Sequence, residues 1–320
     1  MSDLKYLIKM IKDADTVFLV THINPDGDAL GSTFALCYAL KSIGKTVICA
    51  CDGNITQRYQ TIYKEEQGFL LEKVGEGFDL AIALDCADKG RIGSFASAFY
   101  SAKKTANIDH HMTNDNFADI NIVKNASSTG EIIYELLTEA DISITEKIAQ
   151  NLYIAMVSDT GNFSYSNTTK KCFLYTAELI GKFDHEGTAR LLFHTRTYGN
   201  TKIIELAIRN LELFYDGKVA IIHLSKKEIA SCGANTDYDA IVSYGIEIDT
   251  VIACAFLREQ EPGLYKVSLR SKGDVDVAKL SLKFSGGGHK NAAGFSLAGS
   301  LSDVKQQVAY ELSLIVNKDS

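Results

Sequence analysis

Residues 16–44 read TVFLVTHINPDGDALGSTFALCYALKSIG, and the order of patterns within them decides the fold class. Thr16–Thr21 is a β-branched apolar run of strand length. From Ala29 to Ile43 apolar residues recur at helical spacing, and Gly44 then suits the left-handed position that ends a helix. Strand, polar turn and helix together open an α/β unit. The same alternation continues outward. Lys45–Ala50, the fully apolar Phe78–Leu84 and the shorter Thr105–Ile108 read as further strands, Phe78–Leu84 as one buried on both faces. Ser127–Ala140, with Glu131 in its first turn, and Thr145–Val157, with Thr145 at its N-cap, read as helices. Such a sequence predicts a parallel sheet covered by helices on both faces.

A helical pattern runs from Lys170 to Phe193 and gives way to the polar stretch His194–Asn200, which is taken as a linker. Beyond it, residues 203–213 read as a helix, and Lys218–Leu224 and Thr250–Leu257 as strands. Tyr265–Ser271 alternates strictly, with Tyr265, Val267 and Leu269 on one face and Lys266, Ser268 and Arg270 on the other. The expected organisation is an α/β N-terminal parallel-sheet domain (1–193), a linker (194–200) and a smaller C-terminal α/β domain (201–320), with a cleft between them. Tandem repeats and low-complexity segments are not apparent.

The 320 residues exceed what one hydrophobic core usually serves, and 46% hydrophobic with 23% charged residues excludes a disordered or fibrous chain. Apolar runs fall far short of the ~20 residues of a membrane span. The N-terminus shows no signal peptide, so a cytoplasmic enzyme is expected. Seven cysteines, none as C-x-x-C, predict free, mostly buried thiols. The net charge is −7, and residues 1–198 hold 25 of the 40 acidic but only 19 of the 33 basic residues. That balance disfavours tracking of long duplexes, which calls for a basic face. It leaves small anionic ligands open, provided divalent cations offset the carboxylates.

The chemistry lies at element ends. His22-Ile23-Asn24-Pro25-Asp26-Gly27-Asp28 follows the first strand. Pro25 fixes φ, and Gly27 relieves the steric limit between two aspartates, so both carboxylates can enter one crevice. Either aspartate could also serve as a helix cap. Asp85 ends the apolar strand at the carboxyl edge of the sheet, where open α/β folds bind ligands. Asp109-His110-His111 ends the next strand, and Asp159 follows a helix in Ser158-Asp159-Thr160-Gly161. Four segments delivering carboxylate and imidazole toward one crevice imply a shared metal centre. The oxygen-rich donor set suits Mn²⁺ or Mg²⁺ better than structural zinc. Enough carboxylates are present for two ions, the clamp used for displacement at phosphorus, so phosphoester hydrolysis is expected.

In the second half, Gly286-Gly287-Gly288-His289 offers unobstructed backbone N–H groups to an anion, and Ser268 and Arg270 lie on the polar face of a strand just upstream. Lys272 and Lys290 stand nearby. His22-x-x-Pro-Asp26-x-Asp28, Asp85, Asp109-His110-His111 and Asp159 resemble the four ordered motifs of the DHH phosphoesterase superfamily. Gly286–Gly294 resembles the signature of its DHH-associated C-terminal domain. With Val267–Ser271 and the two-domain length, the chain is most similar to the bacterial nanoRNase/pAp phosphatase branch, over nearly its whole length. The resemblance implies that His22 and Asp26 hold one Mn²⁺, that Asp28, His110 and Asp159 hold the other, and that Asp85 bridges them. It further implies that Asp109 orients a histidine and that His111 lies near the scissile phosphate.

It implies, in turn, hydrolysis of short single-stranded RNA from an end and removal of the 3′-phosphate from 3′-phosphoadenosine 5′-phosphate (pAp), with Arg270, Ser268, Gly286, Gly287, Gly288 and His289 gripping substrate. A homodimer is open by analogy. Two rival functions share these features: a phosphodiesterase for linear or cyclic dinucleotides such as pApA and cyclic di-AMP, and a non-catalytic nucleotide- or RNA-binding module. A pyrophosphatase of the superfamily would not be expected to carry the Gly286–His289 signature.

Overall fold

The computed structural model describes residues 3–233 and 240–316. It divides into two units, Met1–Thr195 and Arg196–Ser320. The first contains, in chain order, α1 (Asp3–Asp13), β1 (Thr16–Thr21), α2 (Gly27–Ser42), β2 (Thr46–Ala50), α3 (Gln57–Ile62), β3 (Leu80–Leu84), α4 (Ala96–Tyr100), β4 (Thr105–Asp109), β5 (Ile120–Val123), α5 (Thr129–Glu139), α6 (Glu146–Asp159), α7 (Lys170–Leu179) and α8 (His185–Phe193). Its five strands are all parallel, in the order β2-β1-β3-β4-β5. Strand periodicity sorts their side chains. Val17, Leu19, Leu80, Ile82 and Leu84 join the larger core under the helices, while Phe18, Val20, Ala81 and Ala83 pack on the other face with Phe95 and Phe99.

The second unit runs α9 (Tyr198–Arg209), β6 (Leu211–Phe214), β7 (Val219–Leu224), α10 (Lys226–Ser231), α11 (Ile241–Ile246), β8 (Ala253–Glu261), β9 (Leu264–Ser271), α12 (Val277–Lys283), β10 (Gly287–His289), β11 (Ala292–Ala298) and α13 (Leu301–Val316). Its six-stranded mixed sheet has the order β10-β11-β9-β8-β7-β6. Tyr265, Val267 and Leu269 face the core built with α12 and α13, as their alternation predicts.

Several boundaries differ from the sequence expectation. Helix α2 begins at Gly27, because the Asp26 carboxylate caps it by accepting from the backbone N–H groups of Asp28 and Ala29. The 170–193 pattern is two helices, broken around Gly181 at φ +87° and restarted by Asp184, which caps α8. Residues 203–213 are not one helix. α9 stops at Arg209, and Leu211–Phe214 pairs antiparallel with β7 across a turn containing Asp216 and Gly217 at positive φ. The expected 194–200 linker is shorter, since Thr197 caps a helix that already includes Tyr198–Asn200. The 250–257 strand starts three residues later and runs on to Glu261. All seven cysteines are free thiols, five of them buried. Among the described residues no helix is long and apolar enough to cross a membrane.

Candidate metal centre

In a sheet of order 2-1-3-4-5, the crevice forms where chain connections diverge, at the carboxyl ends of β1 and β3. His22 directly follows β1, Asp85 follows β3, and His110 follows β4. Thr21 Oγ1 donates to the Leu84 carbonyl at 2.9 Å, tying the first two strand ends together. Asp28 projects from the first turn of α2, and Asp159 is the last residue of α6. Asp85 has φ +57°, a left-handed conformation uncommon for a residue with a side chain.

The donor atoms interlock. His22 Nε2 stands 3.8 Å from Asp26 Oδ2 and 3.6 Å from Asp85 Oδ2. His110 Nε2 stands 3.6 Å from Asp85 Oδ1, 3.6 Å from Asp159 Oδ2 and 3.8 Å from Asp28 Oδ2. Two sets result, His22/Asp26/Asp85 and Asp28/His110/Asp159, with donor atoms within 4.8 Å of one another in each. Asp85 also groups with His110 and His111, and offers one oxygen to each side. These separations are long for hydrogen bonds. Two donors bound to one ion at about 2.1 Å stand about 3.0 Å apart at octahedral angles and about 3.4 Å apart at tetrahedral ones. The observed 3.6–3.8 Å lies a few tenths of an ångström beyond that, so a small inward shift of these donors brings them around one cation.

Most of the donors have a second partner that fixes their direction. His22 Nδ1 lies 3.0 Å from the Ile23 carbonyl, which as acceptor fixes a ring proton on Nδ1 and leaves Nε2 as the nitrogen that faces the carboxylates and that a cation would take in place of a proton. Asp26 divides its oxygens: Oδ1 caps α2 and Oδ2 faces His22. The cap and ligand readings of Asp26 thus describe the same side chain. Asp28 accepts from the N–H groups of Thr129 (2.7 Å) and Gly130 (2.9 Å) at the N-terminus of α5, and from Ser32 Oγ at 3.0 Å. The Thr129 hydroxyl donates to Asp85 Oδ1 at 3.0 Å. Asp109 points away from the donors and accepts at Oδ1 from the His110 backbone N–H (2.9 Å) and His111 Nδ1 (2.7 Å), and at Oδ2 from Asn114 (2.6 Å).

Electrostatics show what such packing costs. Burial, reinforced by the charges of Asp85 and Asp159, pushes the Asp28 carboxyl well above its ordinary pKa. Burial and the neighbouring carboxylates raise Asp159 to about 6, against the opposing influence of His110. Burial works against a charged His22, yet Asp26 and Asp85 outweigh it and raise that imidazole to about 9. The Asp109 hydrogen bond raises His111. Four carboxylates crowded so closely repel one another, and divalent cations are the charge that would relieve them. Exposure rises from Asp28 (1%) and Asp85 (3%) to Asp159 (27%), His111 (34%) and Asp26 (59%). Solvent therefore reaches the cluster from the side of the last three.

Sequence reasoning overlooked the groups that aim the donors: Ser32, Asn107, Asn114, Thr129, Gly130 and Asn167. One signal was available. Asn107 interrupts the apolar β4, and its side chain accepts from Asn114 at 2.7 Å and donates toward the Ala83 and Cys86 carbonyls.

In the second unit the sheet aligns candidates in rows. Gly287, Gly294 and Ser268 are register partners across β10, β11 and β9, and so are His289, Ala292 and Arg270. The His289 side chain lies outside the described residues. Arg270 is half-buried and donates from Nη1 to the Leu269 carbonyl at 3.1 Å. The glycine run is an edge strand and not an open loop. A Cβ on Gly286 would meet the Gly294 carbonyl oxygen at 2.3 Å, and Gly288 has φ +140°, so these two are glycine for packing; Gly287 alone has open space around it.

Comparison with known proteins places this geometry in context. The model of the DHH family N-terminal domain matches residues 16–156, and that of the DHHA1 domain matches 230–314. The bifunctional oligoribonuclease and PAP phosphatase NrnA of Thermus thermophilus is 32% identical over 88% of this chain and 84% of its own. Its namesake in Bacillus subtilis is 30% identical over 91% and 92%. Among solved structures, an exopolyphosphatase-related protein from Bacteroides fragilis superposes with a TM-score of 0.86 at 25% identity, covering 98% of this chain and 96% of that one. Exonuclease RecJ bound to manganese shares the fold at a TM-score of 0.53 and 13% identity, covering 98% and 95%.

Proposed function

This chain belongs to the DHH family of phosphoesterases, and on that premise we propose that it hydrolyses short RNA oligonucleotides to mononucleotides and removes the 3′-phosphate from pAp, with Mn²⁺ as its preferred cation. The observation that carries this reading is that Asp85 belongs to one donor group with His22 and Asp26 and to another with His110 and His111. His22 and Asp26 would hold one ion, Asp28, His110 and Asp159 the other, and Asp85 both. Bound there, the cations would supply an activated water and neutralise charge developing at phosphorus. The chain's own groups supply the rest. The carboxylates keep the donors fixed before substrate arrives, since Asp28 and Asp85 are held by α5. His111, its Nδ1–H held by Asp109, keeps Nε2 available to deliver a proton to the departing ester oxygen. Arg270, Ser268, His289 and the N–H groups of Gly286–Gly288 would bind a nucleotide phosphate, the guanidinium in bidentate fashion.

The names of the relatives support both substrates, and the acidic first unit accords with small substrates over long polyanions. An enzyme consuming such RNA fragments would work in the cytoplasm. The test is a panel of end-labelled RNA dimers through decamers, pAp and cyclic di-AMP, each with Mn²⁺, Mg²⁺ or Zn²⁺. Mononucleotide release that is fastest on the shortest RNAs, together with phosphate release from pAp under Mn²⁺, is expected. Cleavage confined to dinucleotides, or nucleotide binding with no turnover in any metal, would overturn the assignment.

A further inference from the structure

Asp159 ends α6, and the chain does not lead away from it. Gly161, Asn162 and Phe163 all take positive φ, +54°, +54° and +65°. The backbone then folds back on itself, with Asn162 N–H donating to the Val157 carbonyl at 2.8 Å and Tyr165 N–H to that of Thr160 at 3.0 Å. A side chain on Gly161 would strike the Tyr165 ring, its Cβ only 2.4 Å from the nearest ring atom. An aromatic residue at φ +65° is uncommon, and Phe163 is held there by stacking on Phe173 at 4.8 Å. This doubling back returns Asn167 to Asp159, eight residues on.

There the Asn167 amide nitrogen lies 3.0 Å from Asp159 Oδ2, 3.1 Å from the Asp159 carbonyl and 2.9 Å from the Ser127 carbonyl. All three neighbours are acceptors, so chemistry alone decides which end of the amide faces them. Its carbonyl oxygen is buried and has no hydrogen-bond partner among the described residues. Leaving an acceptor unpaired is a cost to stability, so what this side chain contributes lies on its N–H side. Ser127 immediately precedes the turn whose Thr129 and Gly130 hold Asp28 and Asp85. Asn167 therefore links the one donor on α6 to the segment that aims two of the others. A carboxylate oxygen has two lone pairs. On Asp159 Oδ2 the amide takes one, and the other remains toward His110 Nε2, 3.6 Å away.

We propose that Asn167 is a positioning residue of the centre, one that fixes the Asp159 carboxylate so that a single oxygen meets the cation. The proposal rests on the reading of the cluster as a divalent-cation site. The test is calorimetric Mn²⁺ titration of metal-free full-length protein, wild type against Asn167→Leu and the milder Asn167→Ala, with Thr169→Ala as a control. Thr169 caps α7 by accepting from the Cys172 N–H and touches no donor. Both Asn167 variants should raise the Mn²⁺ dissociation constant of one site about tenfold or more, while kcat recovers at excess Mn²⁺. The control should lower the melting temperature without moving that constant. Wild-type uptake with unchanged constants in both Asn167 variants would overturn the proposal alone, as would a Thr169→Ala effect of equal size. A wild type that takes up no Mn²⁺ would overturn the cation-site reading and this proposal with it.

Discussion

At the carboxyl edge of the first unit's sheet, donors from β1, α2, β3, β4 and α6 converge, and nearly every one is held by a second partner before any ligand arrives. On the second unit's sheet, the candidates lie on β9 and around β10 with β11 between them, and Arg270 touches its own strand's carbonyl through a single long flexible side chain. The contrast separates two ways of meeting a phosphate. A cation site needs donors fixed to within a fraction of an ångström, because misdirected ligands lose both affinity and chemistry. A phosphate grip needs charge and reach, and a guanidinium can adjust to its ligand. Mutations should therefore act through kcat and metal affinity in the first region and through KM in the second.

The largest effect is expected for Asp85→Ala, which removes the carboxylate that faces both His22 and His110. Losing metal-supplied stabilisation of several kcal/mol corresponds to a fall of about a thousandfold or more in kcat/KM. The circular dichroism of the variant should match wild type, and turnover that survives metal stripping and Mn²⁺ add-back unchanged would break the assignment. Thr129→Val keeps the shape of the side chain but deletes the hydroxyl that donates to Asp85. A loss of about ten- to a hundredfold in metal affinity or activity is expected, read from the Mn²⁺ dependence of rate. Arg270→Ala should raise KM about tenfold with kcat little changed, consistent with one charge-assisted contact. If kcat falls instead, the proposed division between the two regions fails.

The smallest expected effect concerns pH. Asp159 is raised to about 6 in the metal-free fold, above its ordinary value of 3.8. A carboxyl raised on folding binds its proton more tightly in the native state. Its favourable contribution is thus complete below about 4 and is lost as pH rises through about 6. Asp28 is shifted in the same direction. Cations and protons compete for these oxygens, so saturating Mn²⁺ should raise the melting temperature several degrees more at pH 8 than at pH 5. Equal shifts at both values, by differential scanning fluorimetry, would mean that the cluster is not where Mn²⁺ binds.

Much of the first unit was legible because its signals are local. Buried parallel strands such as Leu80–Leu84 are written as unbroken apolar runs, and His22 and Asp85 each sit one position past the strand that delivers them. The misreadings fall where two local patterns overlap. Leu211–Phe214 continues the apolar spacing of the preceding helix, yet it becomes a strand because β7 offers a hydrogen-bonding edge. The glycine triplet looked like an open cradle, yet two of its members are glycine to let β11 approach.

Alone, the order of residues determined which groups could carry the chemistry: the aspartates and histidines at strand ends, the parallel sheet that collects those ends on one edge, and the alternating face that bears Arg270. Only the tertiary structure decided how those groups are aimed. That Asp28 rests on the N-terminus of α5 and that the Thr129 hydroxyl meets Asp85 depend on contacts between distant segments, while the hold of Asp109 on His111 and the return of Asn167 to Asp159 depend on local backbone turns that periodicity does not announce. Propensity and periodicity act over a few residues, whereas the direction of a carboxylate is set by whichever donors folding brings within about 3 Å of it.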